Sequence, residues 1–330
     1  MKLRPHPNGF SSMRSGKFFN KKITILSGGV GGAKLVLGMA HCLPPSRLNV
    51  IVNTADDVVF HGLHVSPDLD TTMYTLAGMV NRKTGWGIDR DTFSALSLLR
   101  RYGEETWFHL GDRDLGTHIL RTKLLWEGQN LTQVASLLAR KLNVRVRILP
   151  MTDAKVETLI QLRGKWVPFQ DYFVRKCAKG TVTDIRFKGI RDATSTKQVI
   201  EALGKADLIV IAPSNPVVSI LPILSLPGFK ELLRKTKAFK LAISPFIGNR
   251  AISGPAKELM EAIGFEGSSL GLAKFYSGLI DLLVIDKRDV DKAEAIQALG
   301  MDVLMMKTVM NTLMDKIKIA RKILNINQVR

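Results

Sequence analysis

The sequence predicts an α/β fold: a Rossmann-like three-layer parallel sheet with a helical insertion. Three observations predict it. First, a β-branched apolar run, Ile23–Leu26, feeds a glycine-dense turn and a helix-period stretch, Ala33–Cys42, and a second apolar run, Leu48–Val52, follows. That is the pattern of a β-α-β unit. Second, buried-type runs return late in the chain at Asp207–Ala212, Phe239–Ile243 and Asp281–Ile285. Strands covered on both faces read as continuous apolar runs, and ligands gather at their carboxyl ends. These runs close on small polar residues, Pro213-Ser214-Asn215-Pro216, then Ser244-Pro245 with Gly248-Asn249, then Asp286. Third, helix-period segments at Met73–Val80, Thr92–Gly103, Gly116–Trp126 and Leu131–Leu142 stand between the two halves, an insertion over about 73–142.

In chain order, Met1–Lys22 carries six Lys and Arg, no acid, and several Pro, Gly and Ser, the composition of a basic disordered tail. Residues 23–330 are expected to form a single domain carrying that insertion. Val144–Leu149 and Glu157–Leu162 read as strands. The segment from Thr308 onward is a basic amphipathic helix whose Met, Leu and Ile stripe docks on the core. The most apolar stretch, Ala206–Phe229, is broken by Pro213, Pro216, Pro222 and Pro227, which argues against a membrane span. Two cysteines, Cys42 and Cys177, make neither a disulfide framework nor a metal knuckle, and a reducing cytoplasm is the expected setting. The net charge of +19 favours anionic partners without naming one. No recognition motif for a specific nucleic acid accompanies it.

Ser27, Gly28, Gly29, Gly31, Gly32 and Lys34 mark the turn after the first strand. Unpaired N–H groups at a helix N-terminus favour anions, and glycine lets phosphate approach the backbone. The turn is no Walker A, and Lys34 stands where G-x-G-x-x-G needs its third glycine. Alone it leaves a dinucleotide site and another phosphate site equally open, beside a glycine turn that only packs helix on strand. Asp56 and Asp57 end the second strand, and Asp68 and Asp70 follow. Carboxylates beside a phosphate-cradling turn suit magnesium and phosphoryl chemistry. Asp57 and Asp70 are the functional candidates, and Asp68 reads as a cap or turn residue. Leu110-Gly111-Asp112-Arg113-Asp114 is either a local ion-pair turn or a presentation of Arg113 to an anion, flanked by His109 and His118. His61 and His64 make a weak zinc pattern.

Taken together, the motifs SGGVGGAK, NTADD, SPDLDT, GWGIDRDTF, LGDRDLGTH, ILPMTD, FQDYFV, APSNPVVSI and SPFIGNRAISGPA resemble the 2-phospho-L-lactate transferase family of coenzyme F420 biosynthesis, CofD in archaea and FbiA in actinobacteria. The resemblance runs from Ile23 to at least Asp286. It implies transfer of a phospho-acid from its guanosine diphosphate conjugate to the ribityl hydroxyl of the deazaflavin Fo, with release of GMP and a requirement for Mg²⁺. It implies that Gly28–Lys34, Ser214, Asn215, Gly248 and Asn249 hold the nucleotide. Asp57 and Asp70 would be the catalytic and metal-binding acids. Asp70, His109, Asp112 and Arg113 would meet Fo, and the protein would form a homodimer. Asp56 stands where archaeal members carry Glu, and His109 where they often carry Lys or Arg. These departures leave 2-phospholactate, phosphoenolpyruvate and phosphoglycerate open as the transferred acid. The chain also resembles the YvcK-like relatives, which implies the alternative of a non-catalytic nucleotide-sugar-binding regulatory protein. The long SPDLDT and LGDRD matches favour the transferase.

Overall fold

The computed structural model describes residues 20–326, so the expected tail lies almost wholly outside the described residues. Strand β1 (Ile23–Ser27) leads into α1 (Gly29–Ala40) and β2 (Leu48–Val52). A hairpin, β3 (Val58–Phe60) and β4 (Leu63–Val65), precedes helices α2 (Pro67–Leu76), α3 (Ser94–Arg101), α4 (Asp112–Trp126) and α5 (Leu131–Lys141), and β5 (Arg147–Pro150) follows. Next come β6 (Glu157–Leu162), β7 (Lys165–Pro168), β8 (Val182–Lys188), α6 (Lys197–Gly204), β9 (Leu208–Ile211), α7 (Leu221–Leu224) and α8 (Phe229–Lys235). The chain closes with β10 (Phe239–Ile243), the hairpin β11 (Phe246–Ile247) and β12 (Arg250–Ala251), α9 (Ala256–Ala262), α10 (Ser269–Phe275), β13 (Leu282–Asp286), α11 (Ala293–Gln297), β14 (Asp302–Met306) and α12 (Leu313–Ile326).

Seven strands form the main sheet in the order β14-β13-β10-β9-β1-β2-β5, all parallel. The chain winds outward from β1 through β2 to β5, then restarts on the other side at β9. That reversal is the topological switch point, and it brings the carboxyl ends of β1 and β9 side by side. Alternation along the strands builds the three layers. Ile23, Ile25, Val50, Val52, Leu208, Val210, Leu241 and Val284 face one core with Leu35 and Met39 of α1, Val134 of α5 and Ile323 of α12. Leu26, Ile51, Ile209, Ile211, Ala242 and Leu283 face the other with Val199 of α6, Leu259 of α9 and Leu272 of α10. This period of two is what a sheet covered on both faces requires.

The expected Rossmann-like α/β sheet is present. Several boundaries move. Helix α1 starts at Gly29 rather than Ala33, so most of the glycine turn is the first turn of a helix. Helix α2 starts at Pro67 rather than Met73, because proline suits the first helical position, where an N–H has no partner to lose. The terminal helix starts at Leu313 and buries Ile319, Ala320, Ile323 and Leu324. Strand β6 pairs with β7 and β8 in a separate antiparallel sheet, where the alternating pattern of β8 leaves one side to solvent. Among the described residues no single helix is long and apolar enough to cross a membrane; one bent pair, Pro216–Leu224 with Phe229–Lys235, passes by composition alone.

Candidate functional site

The glycine turn sits at the switch point, and Gly31 and Gly32 let neighbouring segments pack close against it. A Cβ on Gly31 would lie 2.3 Å from the Pro213 carbonyl oxygen, and one on Gly32 would lie 2.2 Å from Ser27 Oγ and 2.6 Å from Ser214 Oγ. Ser214 Oγ accepts from the Gly28 N–H at 3.1 Å and donates to the Gly28 carbonyl at 2.7 Å. The segment after β9 is thereby clamped to the end of β1. The Gly29 N–H, at φ +61°, donates to Asp68 Oδ1 at 2.7 Å. The turn is therefore partly the packing device that the sequence left open. Among the described residues, no side chain accepts from the Val30 and Gly31 N–H groups, the two that remain for an external anion.

The structure gives Asp68 a role the sequence did not show: it lies in the first turn of α2 but caps α1. Its Oδ2 accepts from Asn53 Nδ2 at 3.0 Å, and Asn53 also donates to the Val218 carbonyl at 3.2 Å. Asn53, fully buried at the end of β2, thus ties three segments together. Burial pushes Asp68 up to about 6 against the hydrogen bonds from Asn53 and Gly29, with the charge of Asp57 adding to the rise. Burial raises Asp56 well above the usual carboxylate range, and the charges of Asp68 and Asp57 raise it further. Burial raises Asp57 too, opposed by His64, Ser66 and Arg121. Asp57 Oδ2 accepts from His64 Nε2 at 2.9 Å and Ser66 Oγ at 2.7 Å. Its Oδ1 and the Oδ1 of Asp56 are buried without a hydrogen-bond partner among the described residues.

Asp70 is differently placed. Both its oxygens accept from the Arg121 guanidinium, Oδ2 from Nη1 at 3.0 Å and Oδ1 from Nη2. Arg121 is 1% exposed and also donates to the His64 carbonyl at 3.3 Å. His118 Nδ1 lies 3.2 Å from Arg121 Nη1, and His118 Nε2 lies 3.2 Å from Asp114 Oδ1. Tyr74 donates its hydroxyl to the same Asp114 oxygen at 2.6 Å. Burial works to raise Asp114, but His118, Tyr74 and Arg121 outweigh it and hold the carboxyl low. Arg121 was invisible to motif reading, since nothing distinguishes it from the surface Arg and Lys of an amphipathic helix. Its only sequence signal is a lone cation on the side of α4 that also carries His118 and Thr122.

The LGDRD and IDRD motifs prove to be a reciprocal clasp. Asp112 Oδ2 accepts from Ser94 N at 2.9 Å and Oδ1 from Ala95 N at 3.0 Å, capping α3. Asp91 accepts from Arg113 N at 2.8 Å and Asp114 N at 3.0 Å, capping α4. The Thr92 hydroxyl and the Ala95 and Ser94 amides hold Asp112 down to about 2. Asp112 is thus committed to helix capping, while Arg113 donates to the Asp89 carbonyl at 3.0 Å and His109 is exposed beside Phe93. Asn215 Oδ1 caps the turn at Pro216–Ile220, accepting from Val217 N at 3.0 Å. Gly248 and Asn249, at φ +54° and +60°, are the two turn residues of the β11–β12 hairpin, a geometry that suits Gly and Asn. The Gly248 N–H is taken by Asp289 at 2.8 Å.

Ser27, Gly28, Gly31, Gly32 and Ser214 are therefore brought into direct contact, and Asp57 and Asp70 are linked through His64 and Arg121. Beside the acids opens a cleft of about 430 Å³ lined by Thr54, Asp56, Asp57, Val58, Val156 and Phe169. A larger hollow of about 810 Å³ lies between α5 and β5, but it contains none of the acids and sits at a sheet edge. The smaller cleft is the candidate site, because apolar walls over a few polar groups at strand ends are the usual form of a ligand pocket. Among the described residues no three His, Cys, Asp or Glu side chains converge to hold a metal ion. Magnesium asks for less, one or two carboxylates completed by water and substrate phosphate. Asp57 fits through its unpartnered Oδ1; Asp70 fits less well, because Arg121 occupies both its oxygens.

A family model described as 2-phospho-L-lactate transferase CofD matches residues 23–324. The 2-phospho-L-lactate transferase of Methanococcoides burtonii is 40% identical over 302 residues, covering 92% of this chain and 98% of the relative. That of Methanocaldococcus jannaschii is 38% identical over 306 residues, 92% and 97% of the two chains. The phosphoenolpyruvate transferase of Streptomyces griseus is 39% identical over 285 residues, 84% and 90% of the two chains. Among solved structures, a Bacillus halodurans protein described as a member of the UPF0052 family superposes with a TM-score of 0.62 at 19% identity, covering 92% of this chain and 98% of that one. At that identity the likeness speaks for the fold alone.

Proposed function

Because the chain belongs to the 2-phospho-L-lactate transferase CofD family, we propose that it transfers 2-phospholactate or phosphoenolpyruvate, or a phosphoglycerate, from a guanosine diphosphate conjugate to the terminal ribityl hydroxyl of Fo, releasing GMP. The observation that carries this reading is the buried acid cluster of Asp56, Asp57 and Asp68, the first two lining the cleft, with one oxygen of Asp56 and one of Asp57 unpartnered among the described residues. Three acids crowded in low dielectric favour a proton or a cation in their midst.

In this reading the hydroxyl oxygen of Fo forms a bond to the phosphorus bearing the acid, the phosphoanhydride bond to GMP breaks, and the hydroxyl proton leaves. The apolar walls of the cleft, Val58, Val156 and Phe169, suit a planar ring system. The ribityl chain then leads toward the acid cluster, where Asp56, raised well above the usual carboxylate range, is suited to receive the proton. Asp70 holds Arg121 in place, and Arg121 adds positive charge near the reacting phosphate. The Val30 and Gly31 N–H groups and the α1 dipole would face the diphosphate. Magnesium, held by Asp57, would supply neutralisation of phosphate charge in phosphoryl transfer. His109 and Arg113 would meet Fo as it binds; homodimerisation and a cytoplasmic setting belong to the same proposal.

The test is a reaction containing Fo, Mg²⁺ and the three guanylated phospho-acids, read by mass spectrometry. A new deazaflavin species with GMP supports the transferase, and its mass names the acid. Tight nucleotide binding with no product on any donor overturns the reading.

A further inference from the structure

A second feature of α1 is not explained by the switch point. Val30, Lys34 and Gly38, spaced four residues apart, share one face of the helix. At the Val30 end the loop 81–87 closes down, so that a Cβ on Gly85 would lie 2.5 Å from Val30 Cγ1. The loop is braced by Asn81, whose N–H donates to the Gly87 carbonyl at 3.0 Å and whose carbonyl accepts from Gly85 N at 2.8 Å. At the Gly38 end α12 crosses at backbone contact, a Cβ on Gly38 meeting the Lys316 carbonyl oxygen at 2.3 Å. Lys34 stands between these two contacts, with Arg82 in the loop on one side and Lys316 on the other.

None of the three cations forms a salt bridge among the described residues, although many surface Lys and Arg elsewhere do. Partial burial lowers Lys316 below the ordinary ammonium value, and the charges of Lys34 and Arg82 lower it further. Asp315 is the one acid opposing this, and its Oδ2 is spent capping α12 through Thr312 N and Oγ1, each at 2.9 Å. Three like charges gathered from three elements, without counter-ions, cost stability unless an anion joins them. The loop also carries Trp86, 48% exposed.

We propose that Lys34, Arg82 and Lys316 form a diphosphate-binding site on the shoulder of α1, which takes the diphosphate of the nucleotide donor as it lies across the loop 81–87. The site rests on the proposed transfer reading for the identity of its ligand, and deepens it: recognition of the donor's charge comes from side chains on α1, the loop and α12 as well as from the glycine turn. Lysine binds such a group as a point charge, and Arg82 offers a planar fork.

The test is calorimetric titration of the full chain with pyrophosphate, GDP and guanosine, for the wild type, Arg82→Gln and Lys316→Gln. Each substitution is expected to weaken pyrophosphate and GDP roughly tenfold, as loss of one charge-assisted contact does, and to leave guanosine unchanged. Lys316 should also be labelled by an amine-reactive reagent and protected by pyrophosphate, with Trp86 fluorescence reporting GDP in the wild type and not in Trp86→Phe. Wild-type affinity in both variants, or no protection of Lys316, overturns the site. Pyrophosphate binding that the variants weaken, in a protein that makes no deazaflavin product, would leave this site standing and sink the transfer reading. Product formation with unaltered KM in both variants would do the reverse.

Discussion

Replacing Arg121 with Met should be among the most damaging single changes outside the apolar core. Arg121 is 1% exposed and gives a bidentate contact to Asp70, whose side chain is 7% exposed. Arg121→Met leaves a buried carboxylate without its cation and also strands the His64 carbonyl and His118 Nδ1. Removing one partner of a buried pair costs about 3–5 kcal/mol. At about 2 °C per kcal/mol for a large domain, the midpoint should fall by ~6–10 °C. Asp70→Asn should cost a similar amount, for it leaves the guanidinium facing a neutral amide. The double variant should cost clearly less than the two singles added, because the uncompensated charge is gone; the coupling should reach about 2 kcal/mol or more. Arg121→Lys should restore only part, since an ammonium cannot span both oxygens. The assay is urea unfolding at pH 7 followed by far-UV circular dichroism. A loss under about 1 kcal/mol in Arg121→Met, or strictly additive singles, would refute the argument that this pair organises the site.

Further outcomes follow from other contacts. Gly31→Val should destabilise the fold, because its side chain is driven into the Pro213 carbonyl 2.3 Å from the Cβ position; a soluble variant with wild-type melting would show that the switch point yields. Asp112→Ala should lower amide-exchange protection at Ser94 and Ala95 first, and unchanged protection there would show that the clasp carries little. Asp286 accepts from the Thr308 N–H at 3.0 Å and from Arg288 Nε at 2.7 Å. Burial works to raise its pKa, but these bonds hold it well below the ordinary 3.8. A depressed carboxyl adds stability above its unfolded pKa and loses it as pH falls through the folded one, so the contribution fades below about pH 4. Asp286→Asn should therefore flatten the acid limb of the unfolding profile while costing on the order of 1–3 kcal/mol at pH 7; an unchanged acid limb would contradict this.

The parallel sheet was legible because its signals are local: Ile23–Leu26, Leu48–Val52 and Phe239–Ile243 are apolar runs closed by turn residues, and such runs announce themselves within a short window. The start of α1 was not, because a helix beginning on glycines contradicts propensity; the Pro213 carbonyl beside Gly31, the Ser27 and Ser214 hydroxyls beside Gly32 and the positive φ of Gly29 explain them. Asp68 read as a cap, but it caps α1 rather than its own helix, since its donor, the Gly29 N–H, lies 39 residues away. Asp70 looked like a free acid because Arg121 is 51 residues distant. Leu110–Asp114 read as either an ion-pair turn or a presentation of Arg113 to an anion; its exchange of caps with Asp91 between α3 and α4 depends on a packing that no single motif encodes. Gly248 and Asn249 matched a nucleotide-binding motif and are, in local terms, the residues a tight hairpin needs.

The most direct measurement for the central claim is the turnover of Asp57→Asn set against its affinities for GDP and Fo. Asp57 Oδ1, like Asp56 Oδ1, is a buried acid oxygen without a partner among the described residues, while Asp57 Oδ2 is held by His64 and Ser66. If this carboxylate serves the transfer step, kcat should fall by roughly a thousandfold or more, with Fo affinity and melting temperature close to wild type. Magnesium should also no longer raise the melting temperature of the GDP complex. Near-normal turnover in Asp57→Asn would contradict the account and move the chemistry away from the end of β2.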